Sequence, residues 1–436
     1  MIRFALAAAT SLWASVAVAE IEIQEVTSPG GIEAWLVEAH EIPMVALEIR
    51  LRGGANLDLP GKRGATNLMV ALLEEGSADM DAQAFQTERE ALAASFGFDV
   101  YDDAFSLSAT FLTETQDEAM ALLRQALVEP RFDQDALDRV RAQVMSTIRS
   151  EEKDPNDIAR AAFNAAAYGD HPYGSNINGT AESVEALTPQ DMFDAHARVL
   201  TRADVYVGAV GDITAEDLGV LIDNLLADLP AEGPDLPDHV EFGLEGGVTV
   251  VDYDTPQSVA LFGHSGIKRD SEDFFAAYIL NEILGGSGRQ SRLMEEVREK
   301  RGLTYGVYSY LVPKDYSEAY LGSVSSANDS IAEAIEVVRG EWARLATEGV
   351  SEDELAEMKT YLTGAYPLRF DGNGRIANVM VGMQMVGLPV DYIATRNDQL
   401  NAVTLEDVNR VASELLQPEN LHFVVVGQPV GLEATN

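Results

Sequence analysis

The 436-residue chain has no cysteine. It therefore forms no disulfide, holds no metal through thiolate and offers no sulfur nucleophile. Positive charge is scarce. Only 30 Lys and Arg stand against 72 Asp and Glu, a net charge of −42. A surface this acidic repels phosphate backbones, which excludes nucleic acid as a partner. It disfavours anionic lipid for the same reason. Histidine is scarce too. His40, His171, His196, His239, His264 and His422 never fall within five residues of each other, so no local ligand pair exists. His171, in a His-Pro-Tyr-Gly turn, reads as a structural hydrogen-bonding group, and His196 as a surface or packing residue. No Gly-x-Ser-x-Gly elbow marks a serine nucleophile. Apolar runs long enough to span a bilayer are missing, so no membrane span is expected.

What remains is ordinary for a folded protein: 46% of residues are hydrophobic and 23% charged, so the acidity does not signal disorder. Most of it reads as solvated surface, with a share available to attract basic peptides. At the N-terminus, Arg3 precedes the apolar run Phe4 to Val18, and Ala17-Val18-Ala19 gives a small-x-small pattern before Glu20. This is the form of a signal peptide cut between Ala19 and Glu20, and it implies a periplasmic or secreted protein.

The chain repeats itself. Leu187-Thr188-Pro189-Gln190-Asp191-Met192 opens a helix that leads to the apolar run Val205 to Gly211. Val403-Thr404-Leu405-Glu406-Asp407-Val408 does the same before Leu421 to Gly427, 216 residues later. Thr188 and Thr404 each read as an N-cap with an acid three residues on. A period this long is a duplicated domain, not a solenoid. Between the copies lies a Pro-rich acidic stretch, Asp228 to Asp238, followed by Gly243 to Gly247. The expected plan is a signal peptide at 1–19, one domain at 20–227, an extended linker at 228–247 and a homologous domain at 248–436. Strands Ala46–Leu51 and Phe105–Phe111 alternate apolar and polar residues. Helices are expected over Thr115–Val128, Gln134–Lys153 and Asp329–Thr347. The fold class is α+β: two homologous domains, each a mostly antiparallel sheet layered with helices.

Several segments carry a more specific signal. They are Gly53-Gly54-Ala55 before Pro60 to Gly64, Tyr168 to Gly174 with Gly179-Thr180, and Leu284-Gly285-Gly286 running into Ser291 to Tyr305. Through them the chain resembles the pitrilysin/insulinase family of zinc peptidases. It is most similar to the short two-domain branch that includes the mitochondrial processing peptidase subunits. The resemblance implies an H-x-x-E-H helix just after Gly64, in which two His one turn apart hold zinc and the Glu activates water. The matching residues are Asn67-Leu68-Met69-Val70-Ala71. Asn67 and Ala71 stand in place of the two His, and Val70 in place of the Glu. The distal Glu position falls at Thr147. This chain is expected to hold no metal.

The resemblance also implies an Arg and a Tyr with six residues between them in the C-terminal domain, matched by Arg298 and Tyr305. Gly302 can end the helix that carries Arg298, and Tyr305 is expected to begin a strand running to Val312. A guanidinium can hold a substrate carbonyl and a phenol can stabilise an oxyanion. Spacing alone fits equally a solvated Arg and a packed strand Tyr. Gly285, Gly286 and Gly288 form a turn calling for positive φ, or a shortened form of the family's glycine-rich substrate loop. The implied function is that of a noncatalytic subunit. A homologous partner with an intact H-x-x-E-H would carry the zinc, and Arg298 and Tyr305 would act across the interface on peptide substrates. Two alternatives stay open: an inert binding or assembly protein, and a homodimeric peptidase with a relocated metal site.

Overall fold

The computed structural model describes residues 21–286, 288 and 290–435. The expected signal peptide lies outside the described residues. The first sheet uses six strands: β1 (Gln24–Thr27), β2 (Glu33–Glu38), β3 (Met44–Arg52), β4 (Ser95–Val100), β5 (Ala104–Leu112) and β6 (Val205–Gly211). The second uses five: β7 (Gly247–Asp252), β8 (Gln257–Ser265), β9 (Val307–Lys314), β10 (Ser317–Ala327) and β11 (His422–Gly427). The first is ordered β1-β2-β6-β3-β5-β4 and the second β7-β11-β8-β10-β9. With β1 set aside, the two orders are the same. In each, one pair is parallel (β2 with β6, β7 with β11) and the rest antiparallel. The duplication is therefore a duplication of topology.

Alternation explains the layers. Val45, Leu47, Ile49 and Leu51 of β3, and Phe105, Leu107, Ala109 and Phe111 of β5, are buried against helices Gln116–Val128 and Gln134–Glu151 in one core. A second core gathers Phe262, Tyr320, Val324, Phe423 and Trp342, the last from helix Ile331–Glu348. The interior strand β11 is buried along its whole length and apolar from Phe423 to Val426, because it is covered on both faces. Thr188 and Thr404 both form reciprocal capping boxes, with Asp191 and Asp407. The expected helices are present with shifted ends, and β3 and β5 contain the expected strands.

The halves exchange helices, which periodicity does not reveal. Helix Pro155–Tyr168, from the first half, lays Ala159, Phe163, Ala167 and Tyr168 on the outer face of β8 and β11. Helix Asn373–Met385, from the second, lays Ala377 and Met380 on β3 and β6. Two equivalent hairpin tips also meet. Lys314 Nζ lies 2.5 Å from Asp102 Oδ2, and Tyr173 Oη donates to Asp103 at 2.6 Å while accepting from the Tyr316 amide at 3.2 Å. The segment between Leu226 and Gly247 has no helix or strand but is pinned: Val240 N donates to Tyr316 O and Gly243 N to Ala167 O, each at 2.8 Å.

Candidate functional site

The helix that would bear the zinc motif is short, Ala65–Ala71. Gly64 precedes it with φ +93, and a Cβ there would come within 2.6 Å of Asn178 O, so only glycine fits. Arg63 holds the facing loop in place by donating to the carbonyls of Asn176, Pro172 and Ser175, each at 3.1 Å. The sequence landmarks here thus build the scaffold of the site. The positions that would do the chemistry are different. Val70 is buried among apolar side chains, Ala71 is exposed, and Thr147 turns its hydroxyl back to Gln143 O. Asn67 Nδ2 donates to Asn178 Oδ1 at 2.9 Å. Asn178 in turn donates to Glu151 at 2.6 Å, and Asn176 donates to the other Glu151 oxygen at 3.0 Å.

An amide, an isopropyl, a methyl and a back-bonded hydroxyl do not form a zinc site. Among the described residues no group of three or more His, Cys, Asp or Glu could hold a metal. Glu151, the nearest carboxylate of that network, is already committed to two amides. Burial raises its pKa, opposed by the Asn178 hydrogen bond. Beside it opens a cavity of about 890 Å³ lined by Ile148, Glu151, Ala161, Asn176, Asn178 and Tyr253. The network is not legible as a motif, because its members lie at 67, 151, 176 and 178.

The expected pair, Arg298 and Tyr305, lies in the second half. Arg298 sits in a π-helical turn, Met294–Glu299, where Lys300 N donates to Glu295 O. Gly302 stops the turn with φ +65. Its N–H donates to Arg298 O at 2.8 Å, and Leu303 N–H reaches back to Val297 O at 3.0 Å. Strand β9 then starts at Val307, two residues later than expected. Thr304 causes the delay: its hydroxyl lies 2.7 Å from Ser325 O and accepts from Gly306 N, holding 304–306 as a turn. Tyr305 is thereby expelled from the sheet and is 88% exposed. Among the described residues Arg298 pairs only with Glu299, at 3.5 Å. Both residues line one cavity of about 510 Å³, with Gln257, Ser325, Ser326 and Ser330. A strand Tyr packed on the sheet is thus ruled out, and the two side chains share a solvent-facing site.

The glycine run differs from expectation. Gly286 has φ −58, so positive φ is not what calls for glycine there. Crowding is: a Cβ on Gly285 would lie 2.4 Å from Ser309 Oγ, and one on Gly286 2.2 Å from Glu282 Oε2. Gly288 has open space around it. His171 Nδ1 accepts from Tyr173 N at 3.2 Å and His196 Nε2 donates to Leu127 O at 2.7 Å, so both are structural, as their sequence context implies. No helix among the described residues is long and apolar enough to cross a membrane.

Two profiles of one peptidase family cover most of the chain. That described as insulinase (peptidase family M16) matches residues 35–181, and that described as the M16 inactive domain matches 186–362. The chain belongs to the M16, or pitrilysin/insulinase, family. Similar proteins include the non-peptidase homolog YmxG of Helicobacter pylori, 26% identical, with 89% of this chain and 90% of that one covered. An uncharacterized zinc protease of Streptomyces coelicolor is 24% identical, with 90% and 87% covered. A crystal structure described as a peptidase M16 inactive domain from Pseudomonas fluorescens superposes with a TM-score of 0.87 at 27% identity, over 95% of this chain and all of that one. At the positions expected for the zinc motif, this M16 chain carries Asn67, Val70, Ala71 and Thr147.

Proposed function

We propose that this chain is the noncatalytic subunit of an exported M16 peptidase, supplying Arg298 and Tyr305 to a homologous partner that carries H-x-x-E-H and zinc. The observation that carries the reading is the contrast between the halves. The metal positions hold Asn67, Val70, Ala71 and Thr147, while Arg298 and Tyr305 face solvent in one cavity. The names of the Helicobacter and Pseudomonas relatives, non-peptidase homolog and inactive domain, support a chain without peptidase activity of its own. In the pair, Arg298 holds the substrate carbonyl and the Tyr305 phenol donates to the oxygen that gains negative charge as water attacks.

The test uses the chain purified from the exported fraction with its zinc-bearing homologue from the same cell. The chain alone hydrolyses no peptide, and the mixture does. Tyr305→Phe lowers kcat by about 10²–10³, the usual cost of one oxyanion donor, while the pair still elutes together. Hydrolysis by this chain alone would overturn the reading. If Arg298→Ala and Tyr305→Phe both leave turnover of the pair unchanged, the second reading holds: an M16-fold binding or assembly protein.

A further inference from the structure

Helix Phe274–Gly285 is the second half's counterpart of helix Ala65–Ala71. Leu68-Met69 and Leu72-Leu73 are fully buried in the one, and Ile279-Leu280 and Ile283-Leu284 share that spacing and are as buried in the other. In this register Tyr278, Asn281 and Glu282 stand where the first half has Asn67, Val70 and Ala71. Where the first half became inert, the second is polar. Asn281 is 3% exposed; its Oδ1 accepts from Ser309 Oγ at 2.9 Å, and its amide nitrogen has no partner among the described residues. Glu282 forms no hydrogen bond or ion pair among the described residues, although burial, opposed by Arg369, raises its pKa. Asn281 and Glu282 line a cavity of about 430 Å³ bounded by Gly286, Met294, Tyr308 and Tyr310. Tyr308 and Tyr310 stack at 6.2 Å and are 49% and 38% exposed. They lie on β9, the outermost strand of its sheet, whose free edge offers backbone groups to an extended chain.

We propose that this cavity is a binding site for a basic side chain of an extended peptide, with Glu282 as its counter-ion. A half-buried carboxylate without an ion pair among the described residues gains most from a cation that arrives with its own apolar stem. Met294 and the tyrosine faces receive that stem and attract the charge. The free amide of Asn281 meets a carbonyl of the same peptide. Arg369 lies on the far side of Glu282, in a smaller pocket with Tyr278, Tyr366 and Arg396. Arg396 is tied to Leu362 O and to Asn397, which leaves Arg369, among the described residues, as the internal competitor for Glu282. The site is separate from the cavity of Arg298 and Tyr305, so it stands or falls without the proposed zinc partner.

Fluorescence anisotropy on the full chain tests it, with a labelled extended heptapeptide bearing one central Arg and the same peptide bearing citrulline. The Arg peptide binds at least ten-fold more tightly. Glu282→Gln, with an unchanged melting curve, removes that preference, and Arg369→Ala strengthens it. Equal binding of the two peptides by the unaltered chain, or a preference that survives Glu282→Gln, overturns the proposal. If Glu282→Gln fails to fold, equal binding of the two peptides by the unaltered chain, or an Arg369→Ala chain that shows no stronger preference, still overturns it.

Discussion

Glu48 in β3 and Leu261 in β8 stand on equivalent rungs, opposite Gly208 and Val424 in the strand that follows in each ladder. Around Leu261 the outer face of the second sheet is apolar, with Val259, Val424 and Val426 pressed on Phe163 and Ala167 of the exchanged helix. Around Glu48 the outer face of the first sheet is mixed: Trp35 and Val210 pack with Ala377 and Met380 of the other exchanged helix, but polar side chains stand among them. Arg50 reaches Asn378 Oδ1 at 2.5 Å on the other exchanged helix, and Gly208 lets that helix come close. One topology is thus closed in two ways: by apolar area alone in the second half, and in the first by a smaller apolar cluster joined to close backbone approach and charge. The same division runs through the two motif helices. The buried apolar spacing is the same in both, while Val70 and Ala71 of one stand opposite Asn281 and Glu282 of the other.

The largest way to break the comparison is Phe163→Ala. Phe163 is fully buried against the second sheet and also touches Phe242 of the linker, with ring centroids 5.8 Å apart. Losing it leaves a cavity that no neighbour fills, at a cost of about 3–5 kcal/mol. Urea denaturation should show that loss. A loss below about 1 kcal/mol would mean that the second sheet does not depend on the borrowed helix.

Much of this architecture is legible in the amino-acid sequence. The repeat at Thr188 and Thr404 announces the duplication, because a capping box followed by an apolar strand is a local signal. Strand faces follow from alternation, and the absence of zinc ligands from the residue types at the positions that the family resemblance implies. Helix exchange is not legible, because Ala159, Phe163 and Ala167 read as one apolar stripe whichever sheet receives it. The place of Tyr305 differs from the alternating pattern because one hydroxyl, that of Thr304, competes with the sheet for the backbone of Gly306. The Asn67–Asn178–Glu151 network leaves no local signal because its residues are far apart in the chain.

A smaller effect is expected from Gly208→Val, which gives the first sheet the residue type that Val424 supplies in the second. The added Cβ would fall 2.7 Å from Ala377 O and 2.9 Å from Val381 Cγ2, so helix Asn373–Met385 must move outward. Overpacking of this kind costs about 1–3 kcal/mol. Differential scanning calorimetry checks it. If the substitution raises Tm, the first interface closes by area like the second, and the contrast drawn between them fails.

The smallest effect is electrostatic and carries a sign. Burial pushes the Glu48 carboxyl up to about 7, with Arg50 opposing and Asp99 adding to the rise. An acid whose pKa is raised on folding binds its proton more tightly in the folded chain. Its contribution is fully present below the ordinary carboxylate pKa and is lost as pH climbs through about 7. Glu48→Gln removes that loss. The substitution should leave Tm unchanged near pH 4 and raise stability near pH 8 by about 1 kcal/mol, allowing for solvent screening of a partly exposed group. Leu261→Gln at the equivalent rung should do the opposite, destabilising at both pH values because it buries an amide with no partner. Parallel pH profiles for the two variants would show that the rungs are alike after all. Divergent ones would fix the difference between the halves at a single pair of positions.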